Sequence, residues 1–160
     1  MSIQKTGYLE SPIGLITIKV TDEFVSYISF KEEQTIVQQT HPILSEAINQ
    51  LQQYFNSERK EFDLPLKQSG TEFQQRVWSE LTKIPFSKTM SYLNLSKKVG
   101  DVKAIRAVGT TNGKNKIAIV VPCHRVIGEN GKLTGYAGGL WRKEWLLDFE
   151  SPNKQVALFQ

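Results

Sequence analysis

The chain is organised around one stretch, Val121-Pro122-Cys123-His124-Arg125-Val126, which holds its only cysteine and one of its two histidines. An apolar run, residues 117–121, leads into this stretch and Pro122 ends it. The pattern predicts a buried extended segment with a rigidly held, reachable thiol at its mouth. Because the thiolate is the reactive form of cysteine, the adjacent histidine and arginine offer a base and a positive charge that favour it.

The same stretch has a second interpretation, as an inert part of the core. Lone cysteines are among the residue types most often buried, so Cys123 and His124 could both serve packing alone. Adjacent side chains of an extended segment also point to opposite faces. A reactive pair would therefore need a turn or a bridging water. Spacing alone leaves both interpretations open.

The composition is that of an ordinary soluble globular protein, with 39% hydrophobic and 22% charged residues. A length of 160 residues allows one core or two small lobes. A single cysteine excludes an internal disulfide and a multi-cysteine zinc site, which is typical of a reducing compartment. No apolar run approaches membrane-spanning length, and the first residues show no signal-peptide pattern. We therefore expect a cytoplasmic protein that does not contact a membrane.

Charge is distributed unevenly along the chain. Residues 1–70 carry six Lys/Arg and nine Asp/Glu, a net of −3. Residues 71–160 carry fourteen Lys/Arg and seven Asp/Glu, a net charge of +7, which brings the whole chain to +4. The basic half predicts a polyanionic partner and favours nucleic acid, with ordinary solvated surface charge as the alternative.

The first lobe, residues 1–68, is predicted to be an antiparallel sheet with one helix. Residues 15–20 alternate between apolar and polar side chains, and residues 24–30 continue an apolar face on a second strand. Pro42 suits the first position of a helix. The apolar stripe of that helix consists of Leu44, Ala47, Ile48, Leu51 and Phe55. Residues 62–66 are a candidate last strand.

The second lobe, residues 69–160, is predicted to be mostly helical and to contain two short helices joined by a tight turn. Ser91 caps the first helix, Gly100 ends it, and Asp101 caps the second. A helical wheel of the second helix separates an apolar side from a basic side. The apolar side holds Val102, Ile105, Val108 and Gly109, and the basic side holds Lys103, Arg106 and Thr110. This pattern favours a helix-turn-helix.

Helices are predicted on both sides of this pair. Thr71 begins one with a capping-box pattern, and an aromatic residue within it, Trp78, is interpreted as core. The last helix is predicted over residues 141–149, with Leu140, Trp145 and Leu146 buried. The glycine-rich residues 135–139 allow a ligand to approach the backbone closely. They lack the Lys-Ser/Thr ending of a Walker motif, which excludes nucleoside triphosphate binding through that motif.

Three motifs, in this order and spacing, resemble one family. They are Ala107-Val108-Gly109, Pro122-Cys123-His124-Arg125-Val126 and Gly135-Tyr136-Ala137-Gly138-Gly139-Leu140. Together they are similar to the O6-alkylguanine-DNA alkyltransferases, and the N-terminal half is similar to the smaller bacterial members. The resemblance implies an α+β fold with a ribonuclease H-like first lobe and a winged-helix-like second lobe.

The resemblance also implies a function, the irreversible transfer of an alkyl group such as methyl from O6 of guanine in duplex DNA to the protein's own cysteine. Cys123 matches the acceptor, His124 the base that takes the thiol proton through a water, and Glu150 the carboxylate that orients this base. The implied partner is double-stranded DNA containing O6-alkylguanine. We expect a monomer that uses no metal or other cofactor.

Further residues match family positions that bind DNA or the base. Arg106 matches an arginine that fills the gap left by the extruded base, Tyr92 a tyrosine that contacts the guanine and its phosphate, and Asn115 an asparagine that anchors the loop before the cysteine. The other expected DNA contacts are Lys103, Thr110 and Arg125, and the expected guanine pocket consists of Val126, Tyr136, Ala137 and Gly138. Lys116 departs from the family pattern, which has proline there.

Other functions remain to be weighed against this one. A non-enzymatic relative would bind alkylated guanine without accepting the group, but such relatives lack the acceptor, so Cys123 counts against it. A cysteine hydrolase would need an oxyanion hole for an acyl substrate. A helix-turn-helix regulator would bind a specific duplex sequence, usually as a dimer, and the sequence supplies no dimer element.

Overall fold

The computed structural model describes residues 2–30 and 37–152. An antiparallel three-stranded sheet lies near the N-terminus and a mostly helical part follows it, which confirms the predicted α+β class. The chain forms two compact units. The first comprises Met1–Ser69 with Lys116–Val120, and the second comprises Gly70–Asn115 with Val121–Gln160. The sequence did not indicate that residues 116–120 return to the first unit.

The sheet of the first unit is a meander of neighbouring strands. Its strands are β1 (Gln4–Ser11), β2 (Gly14–Thr21) and β3 (Phe24–Ser29), in the order β1-β2-β3. Ile18 of β2 pairs with Ile28 of β3, and both side chains are fully buried. The two predicted strands are therefore present, and β1 adds a strand that was not predicted.

Helix α1 (Pro42–Phe55) packs against β1 and β2 and begins at the predicted proline. His41 caps it, because its Nδ1 accepts a hydrogen bond from the Ile43 amide at 3.0 Å. The buried face consists of Leu44, Ala47, Gln50, Leu51 and Tyr54. Tyr54 thus takes the core position predicted for its neighbour Phe55, which is half-buried.

Two segments border β3 without forming strands. Leu66 makes a single bridge to Val25, and Ile117 makes one to Ile28. Residues 62–66 therefore do not form the predicted strand. The extended segment predicted over residues 117–121 is also wrong, because after Ile117 the chain turns and does not run straight on towards the cysteine. Ile119, within that turn, has a φ of +70°, a left-handed conformation that β-branched residues rarely adopt.

The second unit holds four helices and one short parallel strand pair among its described residues. The helices are α2 (Glu72–Leu81), α3 (Tyr92–Val99), α4 (Ile105–Gly113) and α5 (Leu140–Glu150), and the strands are β4 (Met90–Ser91) and β5 (Val126–Ile127). The predicted capping box of α2 is present, since the Gln74 amide donates to Thr71 Oγ1 at 3.1 Å. Trp78 is core as predicted, and its Nε1 donates to the Thr111 carbonyl at 3.0 Å. None of these helices, nor α1, is long and apolar enough to cross a membrane.

The helix pair α3–α4 has the predicted caps. Ser91 Oγ accepts from the Asn94 amide at 3.1 Å, and Gly100 ends α3 in a left-handed conformation with a φ of +101°. Asp101 Oδ1 then accepts from the Lys103 amide at 2.9 Å. These contacts fix the tight turn between the two helices.

The predicted apolar side of the second helix is only partly correct. A 3-10 turn, Val102–Ala104, precedes α4. With three residues per turn, it places its side chains at other angles around the helix axis than the α-helical wheel assumes. Val102, within this turn, is consequently 50% exposed, and Ile105, the first residue of α4, is 38% exposed. The buried face of α4 consists instead of Val108, Thr111 and Asn112. The predicted basic side is exposed.

Helix α5 buries fewer of its apolar residues than predicted. Leu140 is 48% exposed, and Trp145 is half-buried and stacks on Phe149. Leu146 is fully buried as predicted. The remaining buried positions belong to Lys143 and Glu150, two charged residues.

Candidate active site

The Glu150 carboxylate lies at the buried end of α5 and binds two neighbouring side chains of one 3-10 turn, Cys123–Arg125. Arg125 forms a two-pronged ion pair with it, Nε to Oε1 at 2.8 Å and Nη2 to Oε2 at 3.0 Å. His124 Nε2 lies 2.8 Å from Oε2. Burial raises the pKa of Glu150, but the hydrogen bonds from His124 and Arg125, together with the positive charge of Arg125, outweigh this and bring the pKa to about 2. The carboxylate is therefore ionised at neutral pH.

Arg125 does not have the exposed position expected of a DNA contact. Its side chain is 6% exposed, and Nη1 donates to the Ile84 carbonyl at 2.7 Å. With its other two nitrogens on Glu150, the guanidinium faces the interior on every side. The DNA-binding role predicted for Arg125 is wrong, and its position is that of a clamp on Glu150.

The tautomer of His124 follows from its partner. An ionised carboxylate can only accept hydrogen bonds, so Nε2 must carry the proton that it donates to Glu150. Nδ1 then holds a free lone pair, and it is buried without a hydrogen-bond partner among the described residues. Burial lowers the pKa of His124 more than Glu150 raises it, so the ring is neutral and Nδ1 is available as a base.

Cys123 is buried beside this histidine and is the acceptor candidate. Burial raises the pKa of its thiol, while a hydrogen bond from Asn115 and the positive charge of Lys143 act in the opposite direction. The extended segment predicted at the thiol is replaced by the 3-10 turn. Such a turn separates successive side chains by about 120° rather than 180°, so Cys123 and His124 need not face opposite ways.

Asn115, just after α4, anchors the chain that leads to the cysteine. Its Nδ2 donates to the Val121 carbonyl at 2.8 Å, and its side chain also hydrogen-bonds the Cys123 thiol. The next residue, Lys116, is exposed, and its amide donates to Gln68 Oε1 at 3.0 Å. A proline at this position could not donate that bond, so the departure from the family pattern replaces a rigid ring with a hydrogen bond.

A cavity of about 470 Å³ lies against the exposed side of α4. It is lined by Tyr92, Ile105, Arg106, Gly109, Asn112, Gly113, Thr134 and Gly135. The Tyr92 hydroxyl and Thr134 Oγ1 are 2.8 Å apart and hydrogen-bonded. Arg106 and Thr110 are exposed on α4, and Lys103 is exposed in the 3-10 turn before it, as the wheel predicted.

The residues predicted to form the guanine pocket differ in how far they are buried. Val126 is fully buried in β5, where it pairs with Met90. Ala137 is exposed, and Tyr136 and Gly138 are half-buried. None of these four residues lines the cavity beside Tyr92 and Arg106.

Sequence reasoning missed three polar residues of this region, Lys143, Thr134 and Asn112. Lys143 is fully buried, its Nζ donates to the Thr134 carbonyl at 3.1 Å, and Nζ lies 6.0 Å from the centre of the Tyr92 ring. Burial lowers the pKa of Lys143. A signal was available, because Lys143, Leu146 and Glu150 have the i, i+3, i+7 spacing of a single helix face.

No group of three or more His, Cys, Asp or Glu side chains suited to a metal ion occurs within residues 2–30 and 37–152. The groups that come together are instead a thiol, an imidazole, a carboxylate and a guanidinium. This set suits proton transfer from the thiol and nucleophilic attack by sulfur.

We expect Glu150→Gln to destabilise the protein most at neutral pH. The pKa of Glu150 is about 2 in the folded protein against an ordinary 4.5, so ionised Glu150 stabilises the fold above pH 4.5 and this contribution is lost as pH falls towards 2. The shift corresponds to roughly 3 kcal/mol. Urea unfolding between pH 7 and pH 3 should show the difference between the two proteins shrinking. The exposed Glu144→Gln is the control, and a difference independent of pH would contradict the prediction.

We expect the Cys123 thiol to titrate at a higher pH in the folded than in the urea-unfolded protein, because burial raises its pKa. The pH dependence of thiol alkylation by iodoacetamide measures this, and the single cysteine makes the signal unambiguous. Lys143→Met should move the folded midpoint higher still, since it removes a positive charge that favours the thiolate. Lys98→Met, on the exposed side of α3, is the control. A folded midpoint at or below the unfolded one would refute the assignment.

Two family models match the chain. The model described as "6-O-methylguanine DNA methyltransferase, ribonuclease-like domain" matches residues 5–68. The model described as "6-O-methylguanine DNA methyltransferase, DNA binding domain" matches residues 72–152. Together they span nearly all of the residues that the structure describes.

Known proteins are similar in sequence to this chain over most of their length. Methylated-DNA–protein-cysteine methyltransferase from Methanosarcina acetivorans is 46% identical over 147 residues, which cover 88% of this chain and 94% of the relative. The constitutive enzyme of that name from Bacillus subtilis is 46% identical over 151 residues, which cover 88% of this chain and 92% of the relative.

Solved structures from Mycobacterium tuberculosis share the fold. The crystal structure of its O6-methylguanine methyltransferase is 41% identical, with a TM-score of 0.83 over 99% of this chain and 100% of that one. The structure of OGT from the same organism in complex with DNA is 42% identical, with a TM-score of 0.82 over 97% of this chain and 99% of that one. The chain therefore belongs to the methylated-DNA–protein-cysteine methyltransferase family.

Proposed function

We propose that this protein repairs duplex DNA by moving the alkyl group of O6-alkylguanine to Sγ of its own Cys123. The observation that carries the proposal is the arrangement around His124, whose Nε2 is held by Glu150 while Nδ1 is buried with a free lone pair. A neutral imidazole next to a neutral thiol is the starting state that a proton transfer between them requires.

The first step is proton transfer from the thiol to His124 Nδ1 through a bridging water. The imidazolium that forms is stabilised by the ionised Glu150, which Arg125 holds in place from its other side. The thiolate gains its stabilisation from the Asn115 hydrogen bond and the positive charge of Lys143. The reactive ion pair therefore forms only within this set of contacts, and the resting thiol stays protected.

The second step is an in-line displacement. The thiolate sulfur forms a bond to the saturated alkyl carbon, and the bond from that carbon to O6 breaks with its electron pair passing to the guanine. The resulting guanine anion takes up a proton, for which the imidazolium is the source. Because a thioether has no easy leaving group and the chain has no second cysteine, each molecule reacts once.

The base must leave the duplex to reach the cysteine, because O6 lies inside the stacked helix. We assign DNA binding to the exposed side of α4, where Arg106 borders the cavity and Lys103 and Thr110 lie nearby. Arg106 would occupy the gap left by the extruded base, and Tyr92 would contact the base in the cavity. The DNA complex of the Mycobacterium tuberculosis relative and the net charge of +7 in residues 71–160 support DNA as the partner.

Mixing the protein with a duplex that contains O6-methylguanine should place one methyl group on the peptide that holds Cys123. Mass spectrometry of the protein and nucleoside analysis of the DNA measure the two halves of the transfer. We expect the yield to stop at one equivalent, with Cys123→Ala and an unmodified duplex as controls. Binding without transfer would point instead to a non-enzymatic relative, and turnover beyond one equivalent would refute the irreversible step.

Arg106→Ala should slow repair of duplex DNA at least about tenfold more than the reaction with free O6-benzylguanine, because only the duplex needs a base extruded. Single-turnover rates with both substrates give the comparison. Lys83→Ala removes an exposed positive charge just after α2, at a residue that does not line the cavity, and should change neither rate by much. Equal slowing of both reactions by Arg106→Ala would rule out a role in extrusion.

A further inference from the structure

The first turn of α5 exposes two large apolar side chains that the reaction described above does not use. Leu140 is 48% exposed and Trp141 is 55% exposed. Single exposed apolar residues are common on protein surfaces, but tryptophan covers a large area and is enriched at interfaces. Trp141 is the most exposed of the three tryptophans, since Trp78 is 4% exposed and Trp145 is half-buried. Trp141 is thus the tryptophan that gains most from a binding partner.

The indole of Trp141 is ordered by its neighbours. The Arg142 guanidinium lies 4.5 Å from the centre of the Trp141 ring, and Arg142 Nη1 donates to the Gly138 carbonyl at 2.9 Å. Gly139 lies so close that a side chain there would come within 3.4 Å of the indole. Trp141 and Arg142 therefore present a flat apolar surface and a positive charge in one fixed arrangement, which reduces the entropy lost when a partner binds.

The start of α5 is fastened to one wall of the cavity. Residues of α4, Arg106 among them, line one part of the cavity, and Thr134 and Gly135 line another. In the first turn of α5, Lys143 Nζ donates to the Thr134 carbonyl at 3.1 Å, and Arg142 binds the Gly138 carbonyl. Trp141 and Arg142 therefore belong to the wall that contains Thr134, and not to the helix that carries Arg106.

Charge indicates which partner this surface fits. A duplex whose base enters the cavity lies across the cavity mouth, so its backbone, with a phosphate about every 3.4 Å along each strand, passes both walls. Because arginine has five N–H donors, the bond to Gly138 does not prevent Arg142 from binding a phosphate. The exposed carboxylates of Glu144 and Asp148 repel a polyanion and confine such a contact to the first turn of α5.

We propose that Trp141 and Arg142 form a second DNA contact, separate from α4, in which Arg142 binds a backbone phosphate and the indole packs against the adjacent deoxyribose. This inference rests on the DNA binding of the proposed function. The role is one of positioning, because neither residue touches the reacting atoms and the pair steadies the duplex while a base is extruded. Since only the backbone is contacted, the contact forms on damaged and undamaged duplexes alike.

The wild-type protein provides the first test, by hydroxyl-radical footprinting with mass spectrometry. An unmodified duplex is the probe, because it binds without reacting with Cys123. We expect the duplex to protect Trp141 from oxidation, since the indole becomes covered. Trp145, half-buried one turn later and next to the acidic Glu144, is the internal control and should keep its oxidation rate. Equal oxidation of Trp141 with and without the duplex overturns the inference, whatever the variants do.

Two variants separate the phosphate contact from the apolar one. Arg142→Gln should make the slope of log K against log salt concentration shallower by about one, whereas Lys83→Gln, at another exposed cation, should leave it nearly unchanged. Trp141→Ala should weaken duplex binding roughly fivefold, and Trp141→Phe should restore most of the loss. None of these variants should change the rate with free O6-benzylguanine by much, because that substrate has no backbone.

The remaining outcomes decide between the partners. Trp141→Ala slowing free O6-benzylguanine as much as the duplex would show a packing role and overturn the inference. Self-association of the wild-type protein without DNA, lost in Trp141→Ala by sedimentation, would assign the surface to a second copy of the chain and also overturn it. A wild-type protein that does not bind the duplex refutes both proposals. Protection of Trp141 without methyl transfer from an O6-methylguanine duplex would support the DNA contact and refute the proposed reaction.

Discussion

The contact on which the second unit depends most is the one between Glu150 and its two partners. A buried carboxylate is unstable unless it is paired, and here a two-pronged arginine and a histidine together satisfy it. Because Arg125 and His124 follow Cys123 directly, the same contact fixes the turn that carries the thiol. The end of α5, the tautomer of the histidine and the position of the nucleophile are therefore consequences of one ion pair.

Helix α5 contributes a second charge to the same region. Lys143 lies on the same buried face as Glu150, two turns earlier, and donates to the Thr134 carbonyl. Its positive charge acts on Cys123, while the hydroxyl of Thr134 holds Tyr92. One helix face thus carries both the anion that stabilises a protonated histidine and the cation that stabilises a thiolate. The two products of the proposed proton transfer each have their counter-charge in place beforehand.

Local signals in the sequence were sufficient for much of the fold. The capping residues Thr71, Ser91 and Asp101 mark helix starts that depend on short-range hydrogen bonds, so they could be predicted without tertiary information. The resemblance supplied Cys123, His124 and Glu150, which the structure brings together by the contact of His124 with its partner carboxylate. The predictions that failed concern residues whose burial depends on distant parts of the chain or on the local helix type. Arg125 has the positive charge expected of a DNA contact, and only its contacts with the distant residues Glu150 and Ile84 reveal that it is buried. Val102 was placed on the apolar side with Val108 because a wheel assumes one continuous helix, whereas Val102 lies in a 3-10 turn and is exposed.

His124 Nδ1 and Asn112 Oδ1 are both buried without a hydrogen-bond partner among the described residues, and they belong to residues bonded to the two sides of the nucleophile. His124 follows Cys123 in the chain, and Asn112 holds its carbonyl. Each unsatisfied acceptor destabilises the free protein, and packing alone would favour an apolar side chain at either position. Both are acceptors, and the proposed reaction supplies a donor to the first of them, because the thiol proton goes to the histidine. The loss in stability at His124 is therefore connected with the proton transfer that the site is proposed to perform.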